Sequence, residues 1–107
     1  MKLILLFFLV SLSLFAQTTP AKNIQVGTYS CAARMLGPTT FQHWCYKDGK
    51  INHNAVMEIM TPSVESTYSD STGTPTMQIL WVVTLPGTYS VSFVVGTNAP
   101  VTMTGTF

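Results

Sequence analysis

From residue 24 onward, apolar and polar residues alternate in short runs, and no stretch keeps the 3.6-residue period of a helix. In the clearest run, Tyr89, Val91, Phe93 and Val95 fall on one side, with Ser90 and Ser92 on the other. Val101, Met103 and Phe107 are separated in the same way from Thr102, Thr104 and Thr106. Strands with one buried and one wetter face produce this period of two. Seven strands are predicted on it, over residues 24–33, 40–47, 51–60, 64–68, 76–84, 88–95 and 101–107. Breakers separate them at Gly37-Pro38, Thr61-Pro62, Gly73 with Pro75, Pro86-Gly87 and residues 96–100. Asp48-Gly49 reads as a two-residue hairpin turn, because both residues tolerate positive φ. Sheets buried on one face need a second layer, so the pattern predicts an all-β fold, a two-sheet antiparallel β-sandwich of about seven strands. Residues 79–83, Ile-Leu-Trp-Val-Val, depart from the pattern by being apolar on both faces. They are either a strand end packed under the core or an exposed binding surface.

The N-terminus follows different rules. Lys2, the apolar run over residues 3–15 and the small Ala16 form the pattern of a secretory signal peptide over residues 1–16. The run is shorter than the ~20 apolar residues a spanning helix needs. Residues 17–22, with Pro20, read as a flexible leader, and residues 23–107 as the folded domain. A secreted, extracellular protein is expected, with no membrane span in the mature chain. That setting decides how Cys31 and Cys45 are read, since two cysteines in a secreted chain pair by default. The loop they would close, of about 15 residues, is worth on the order of 3 kcal/mol in the chain-entropy model.

Charge narrows the function. Beyond residue 16, Lys22, Arg34, Lys47 and Lys50 balance Asp48, Glu58, Glu65 and Asp70. These few, scattered cations do not make the clustered surface that phosphate binding requires, so no nucleic acid is expected as a partner. Nor does catalysis find a signature: two histidines spread over a β domain give no base oriented by a third group, and nothing fixes Glu58 and Glu65 at a glycosidase separation. They read as solvated strand-face charges. With Asp48-Gly49 as the turn, Lys47 would face Lys50, Cys45 would face Asn52 and His43 would face Asn54. His43 and His53 would then be near neighbours. A zinc site wants three or four ligands, so no metal, no cofactor and no catalytic residue are expected. His43 reads as a hydrogen-bonded packing residue and His53 as a loop or surface residue.

The order of landmarks resembles an intermediate-set immunoglobulin domain. Cys31, then Gly37-Pro38, then Trp44 or Cys45 is similar to that family's first cysteine, turn and core tryptophan. "YKDGK" from Tyr46 resembles the exit of its strand C, and "TMQILWV" from Thr76 its strand E. "LPGTYSV" from Leu85 is similar to the strand F entry, where Gly87 and Tyr89 match the tyrosine-corner pattern. Two positions depart from the family: Val91 stands where its second core cysteine falls, and the acidic residue expected before Gly87 is missing. The resemblance implies that Cys45 sits inward, at the tryptophan's site, and that a disulfide from strand B to strand C replaces the usual one.

In that register Trp44 and Tyr46 project from a sheet of strands C, F and G, with Lys47 and Lys50 at its edge, as a candidate binding face. The competing register keeps Trp44 in the core and leaves two free thiols; a one-residue slip separates the two, unless a bulge intervenes. The function implied by the resemblance is non-catalytic recognition or adhesion toward an extracellular or cell-surface protein. The alternatives are a structural, self-associating surface or matrix module, and a small secreted inhibitor or effector.

Overall fold

The chain reverses at short intervals, and each reversal is made by residues suited to it. A computed structural model describes residues 18–72 and 74–107, so the expected signal peptide lies outside the described residues. Eight strands follow in order: β1 (Lys22–Val26), β2 (Tyr29–Met35), β3 (Thr40–Lys47), β4 (Lys50–Ile59), β5 (Ser63–Asp70), β6 (Met77–Thr84), β7 (Thr88–Val95) and β8 (Val101–Thr106). The expected strand over residues 24–33 is in fact two, because Gly27 adopts φ 61° and starts a turn there. Only a residue without Cβ reaches that conformation at no cost. Asp48 (φ 53°) and Gly49 (φ 76°) make the turn between β3 and β4. Lys22, the last residue of the expected leader, opens β1. Just before it, Thr19 donates its N–H to the Met35 carbonyl and accepts the Met35 N–H on Oγ1.

The strands form two antiparallel four-stranded sheets, ordered β1–β2–β3–β4 and β5–β6–β7–β8. Each sheet is a meander, and the chain changes sheets once, between Ile59 and Ser63. The strand over residues 40–47 was expected in one sheet with those over 88–95 and 101–107, but β3 pairs with β2 and β4. Turns of two residues at Gly27-Thr28 and Asp48-Gly49 leave no chain with which to cross to the other layer. Within each sheet, consecutive strands are paired in sequence order.

Alternation sends Tyr29, Cys31, Ala33 and Met35 of β2 and Phe41, His43 and Cys45 of β3 into the sandwich. Ile79, Trp81 and Val83 of β6 and Tyr89, Val91, Phe93 and Val95 of β7 meet them from the other sheet. Phe41 contacts Trp81 across the layers at 5.9 Å between ring centres, and Phe107 closes the end between Phe41 (6.0 Å) and Tyr89 (4.7 Å). Trp81, from the stretch apolar on both faces, is thus the core tryptophan, with no exposed surface. Cys31 and Cys45 are directly opposite in the β2–β3 ladder and are disulfide-bonded.

Replacing both cysteines by alanine is expected to lower stability by about 3 kcal/mol, from the loop the bond closes. Urea unfolding of the double variant should match the parent in reductant; an unchanged midpoint would show that the bond contributes nothing.

Candidate functional site

Two polar or aromatic groupings stand out, one on the outside of the first sheet and one between the sheets. The outer one follows from the β2–β3 register. With Cys31 opposite Cys45, Ala32 lies opposite Trp44, Ser30 opposite Tyr46 and Arg34 opposite Gln42. Trp44 and Tyr46, two residues apart, share the outer face and are half-buried. Ala32 on the same face is only 2% exposed, as expected beneath a large ring. Arg34 is held in place: its Nε–H donates to Gln42 Oε1 at 2.7 Å, and its guanidinium carbon lies 5.5 Å from the centre of the Trp44 ring. Such a stack is attractive through the ring quadrupole. Ile51 and His53 of β4 form the far wall of a shallow groove of about 170 Å³ along these side chains.

Lys47 and Lys50, expected at the edge of this face, lie apart from Trp44 and Tyr46. Lys47 has the inward phase of Cys45, and its Nζ sits 5.3 Å from the centre of the Tyr29 ring at the end of the sandwich. Contact with Tyr29 raises its pKa above the usual lysine value. Lys50 is exposed just past the turn, opposite Lys47.

The inner grouping depends on irregularity in β4. Lys47 faces Lys50 as expected, but Cys45 pairs with His53 rather than Asn52, and His43 with Val56 rather than Asn54. Extra residues in β4 on either side of His53 are bulges, which bend a strand and re-aim its side chains. Here they bring Asn52, His53 and Glu58 toward β5. His53 stacks on Tyr68, with ring centres 3.9 Å apart, and stands 5.2 Å from His43. The Tyr68 hydroxyl reaches the backbone carbonyl (3.0 Å) and side-chain oxygen (2.8 Å) of Asn52. Asp70 Oδ2 accepts from Tyr29 (2.9 Å) and Asn52 (3.2 Å), while Oδ1 accepts the N–H (3.0 Å) and hydroxyl (2.6 Å) of Thr72. These bonds, those from Thr72 foremost, hold the Asp70 carboxyl well below the usual carboxylate range. Burial, and then the bond to Asp70, push the Tyr29 hydroxyl up.

Ser66 joins the two sheets at the centre of this seam. Its hydroxyl donates to Glu58 Oε1 at 3.1 Å and lies 2.8 Å from His43 Nε2. A hydroxyl has one proton, so with that proton on Glu58 the bond to His43 is donated by Nε2–H. His43 Nδ1 is then left as an unpartnered acceptor. This is not the order of a hydrolytic relay, in which the acid must orient the far nitrogen of the histidine. Ser66 is only 6% exposed. Glu58, expected as a solvated charge, turns inward to this bridge, whereas Glu65 is exposed. Among the described residues no three His, Cys, Asp or Glu side chains are grouped to hold a metal ion, and no helix is long and apolar enough to cross a membrane.

No protein-family model, curated protein or solved structure matches the chain. What the molecule itself defines is a two-sheet β-sandwich with a disulfide inside one sheet, an aromatic groove outside it and a polar seam along one side. Arg34 and Gln42 were not singled out from the sequence, although pairing Cys31 with Cys45 places them opposite one another. The parts played by Asn52, Tyr68 and Asp70 had no comparable signal, since they rest on the bulges.

The seam sets a pH response. Burial, with the neighbouring His53, lowers the His43 pKa from 6.5 to about 4, and burial also lowers that of His53. Between pH 6.5 and 4 the unfolded chain therefore binds more protons than the folded one. The histidine contribution is fully present above pH 6.5 and is lost as pH falls through this window. The Asp70 contribution has the same sign, but its loss falls below the window. Urea unfolding is expected to show stability falling by on the order of 2–3 kcal/mol from pH 7 to 4.5, since each proton taken up only on unfolding costs about 1.4 kcal/mol per pH step. His43→Gln should flatten most of that slope; a wild-type protein equally stable at both pH values would contradict the assignment.

Proposed function

We propose that this protein is a secreted, single-domain, immunoglobulin-like recognition protein that acts without catalysis on an extracellular or cell-surface protein. The observation that carries this reading is the outer face of β2 and β3, where Trp44 and Tyr46 stand side by side with a guanidinium already fixed against them. Aromatic residues and arginine are the side chains that anchor protein interfaces, because they offer large contact area with few freely rotating bonds. Holding Arg34 through Gln42 reduces the ordering cost of binding. The inner bridge sets Ser66 between His43 Nε2 and Glu58 Oε1, which is not the order of a hydrolytic relay and favours recognition over chemistry.

Membership of the immunoglobulin superfamily belongs to the same proposal. Its support is the pair of antiparallel sheets, the strand B to strand C disulfide, a positive-φ Gly87 (φ 149°) and a buried Tyr89 beside Val91 at the motif positions. The two meanders differ from the Greek-key connections of that family, so the relation rests on architecture and motif order. Secretion rests on the pattern over residues 1–16.

The test is a screen of extracellular and cell-surface proteins against the chain displayed multivalently, because avidity brings weak contacts into range. Trp44→Ala with Tyr46→Ala is expected to weaken a saturable interaction by at least about tenfold, the loss of one or more hot-spot side chains. The urea midpoint should stay near that of the parent. Unfolding of the double variant would place Trp44 in the core and contradict the reading.

A further inference from the structure

The outer face of the first sheet is graded from polar to apolar. Residues opposite each other in a ladder share a face, so Ile51 stands on the same side as Tyr46, Met57 on that of Gln42 and Ile59 on that of Thr40. These three residues of β4 are 62%, 66% and 76% exposed; of the strongly exposed large hydrophobic residues among those described, only Val101 lies elsewhere, on the second sheet. Trp44 runs along the middle of the face beside Tyr46, and β1 ends it with Asn23 and Gln25. The outer face of the second sheet is more polar, as in the row Glu65–Val82–Ser90–Thr104. An exposed apolar patch with a polar border marks an interaction site.

Arg34 is the one charged residue on this face among those described. The chain's four acidic residues are all placed elsewhere: Asp48 in the turn after β3, Glu58 turned in to Ser66, Glu65 on the second sheet and Asp70 in the seam. Lys47 and Lys50 have the inward phase at the end of the sandwich, and Lys22 lies opposite inward Ala33. The Nε–H of Arg34 is taken by Gln42, and its guanidinium lies over Trp44. Among the described residues its two terminal nitrogens make no hydrogen bond. The edge of the guanidinium that grips a carboxylate with two parallel bonds is therefore free.

We infer that this face docks a segment of a partner protein that presents one Asp or Glu carboxylate to Arg34 and apolar side chains to Trp44, Ile51 and Met57. Charge complementarity identifies the occupant. A second copy of the chain would bring the same cation and no acid to the contact. A phosphate group is close to a dianion and calls for more than one cation. An anionic membrane surface is gripped by clusters of Lys and Arg, which this face lacks. The groove, at about 170 Å³, is smaller than the pockets of roughly 300–1,000 Å³ that enclose small molecules. Arg34, Gln42 and Met57 lie in one row across three strands, so the cation and the nearest exposed aliphatic side chain are roughly 10 Å apart. The partner's carboxylate and apolar side chains must match that spacing. Because Gln42 and Trp44 already hold the guanidinium, little order is lost when the carboxylate arrives, and exclusion of water by the surrounding apolar groups strengthens the pair.

This inference rests on the recognition reading and adds the chemistry of the partner. The full chain would be used to select from a library of short random peptides displayed multivalently on phage, and the selected sequences would be remade as soluble peptides. In parallel, binding would be measured to phosphatidylcholine vesicles with and without phosphatidylserine. Selected peptides are expected to carry Asp or Glu among apolar residues. Replacing that acid by its amide should raise the dissociation constant at least about tenfold, and so should Arg34→Gln. On Arg34→Gln the change in the peptide should have no further effect, because the pair is already broken. Arg34→Lys keeps the charge but loses the fork, and it should also weaken binding. Met57→Ser should weaken binding, whereas Val101→Ser on the second sheet should not. Peptides that need Trp44 and Tyr46 but are indifferent to their own acid or to Arg34→Gln would overturn this inference and leave the recognition reading standing. Selection of no peptide, or binding to phosphatidylserine vesicles alone, would overturn both.

Discussion

The pairing of Cys31 with Cys45 is the constraint on which the rest of the molecule depends. The bond ties two positions directly opposite in one ladder, and both must face the same way. Because neighbouring residues of a strand point to opposite faces, fixing that one pair fixes all the others. Phe41 and His43 are committed to the interior, and Gln42, Trp44 and Tyr46 to the outside. The indole that an immunoglobulin-like reading would place inside β3 is displaced by the disulfide, and the core is filled from the other sheet by Trp81. The outer groove is thus a consequence of how the inner face is cross-linked.

Along the β4–β5 side, the sandwich is closed by polar contacts. Buried polar groups are tolerated when hydrogen-bonded, and Asp70 meets this with four donors drawn from Tyr29, Asn52 and Thr72. The histidines are less completely served: His43 Nδ1 and His53 Nε2 are buried without partners, as is Glu58 Oε2. Burial of the two imidazoles favours their neutral form, so the seam is expected to weaken in mild acid. The bulges that bring His53 onto Tyr68 also divide β4 into two parts, and both reach the seam, through Asn52 and His53 on one side and Glu58 on the other.

Much of the architecture was legible in the sequence. Period-two runs such as Tyr89-Val91-Phe93-Val95 mark strands whose faces the structure retains, and Asp48-Gly49 marks a turn because its residues tolerate positive φ. The two layers follow from the one-sided burial of those strands. The division at Gly27 was missed because one glycine between Val26 and Thr28 is a weak turn signal inside an apolar run. The sheet order was not legible because the motif order resembles a Greek-key family, whereas the chain connects its strands as two meanders. At the candidate site Trp44 and Tyr46 were visible as a pair, but Arg34 required the register, and the His53–Tyr68 stack required bulges that no local residue announces.

The register of β3 can be measured directly, since the chain has two tryptophans and they occupy opposite environments: Trp44 is half-exposed and Trp81 has no exposed surface. Acrylamide quenching of the folded protein should show an accessible and a protected component. In Trp44→Phe the accessible component should vanish, leaving blue-shifted emission from Trp81 that resists quenching. If the emission left in Trp44→Phe were readily quenched, Trp81 would lie at the surface and the arrangement described for both sheets would be wrong.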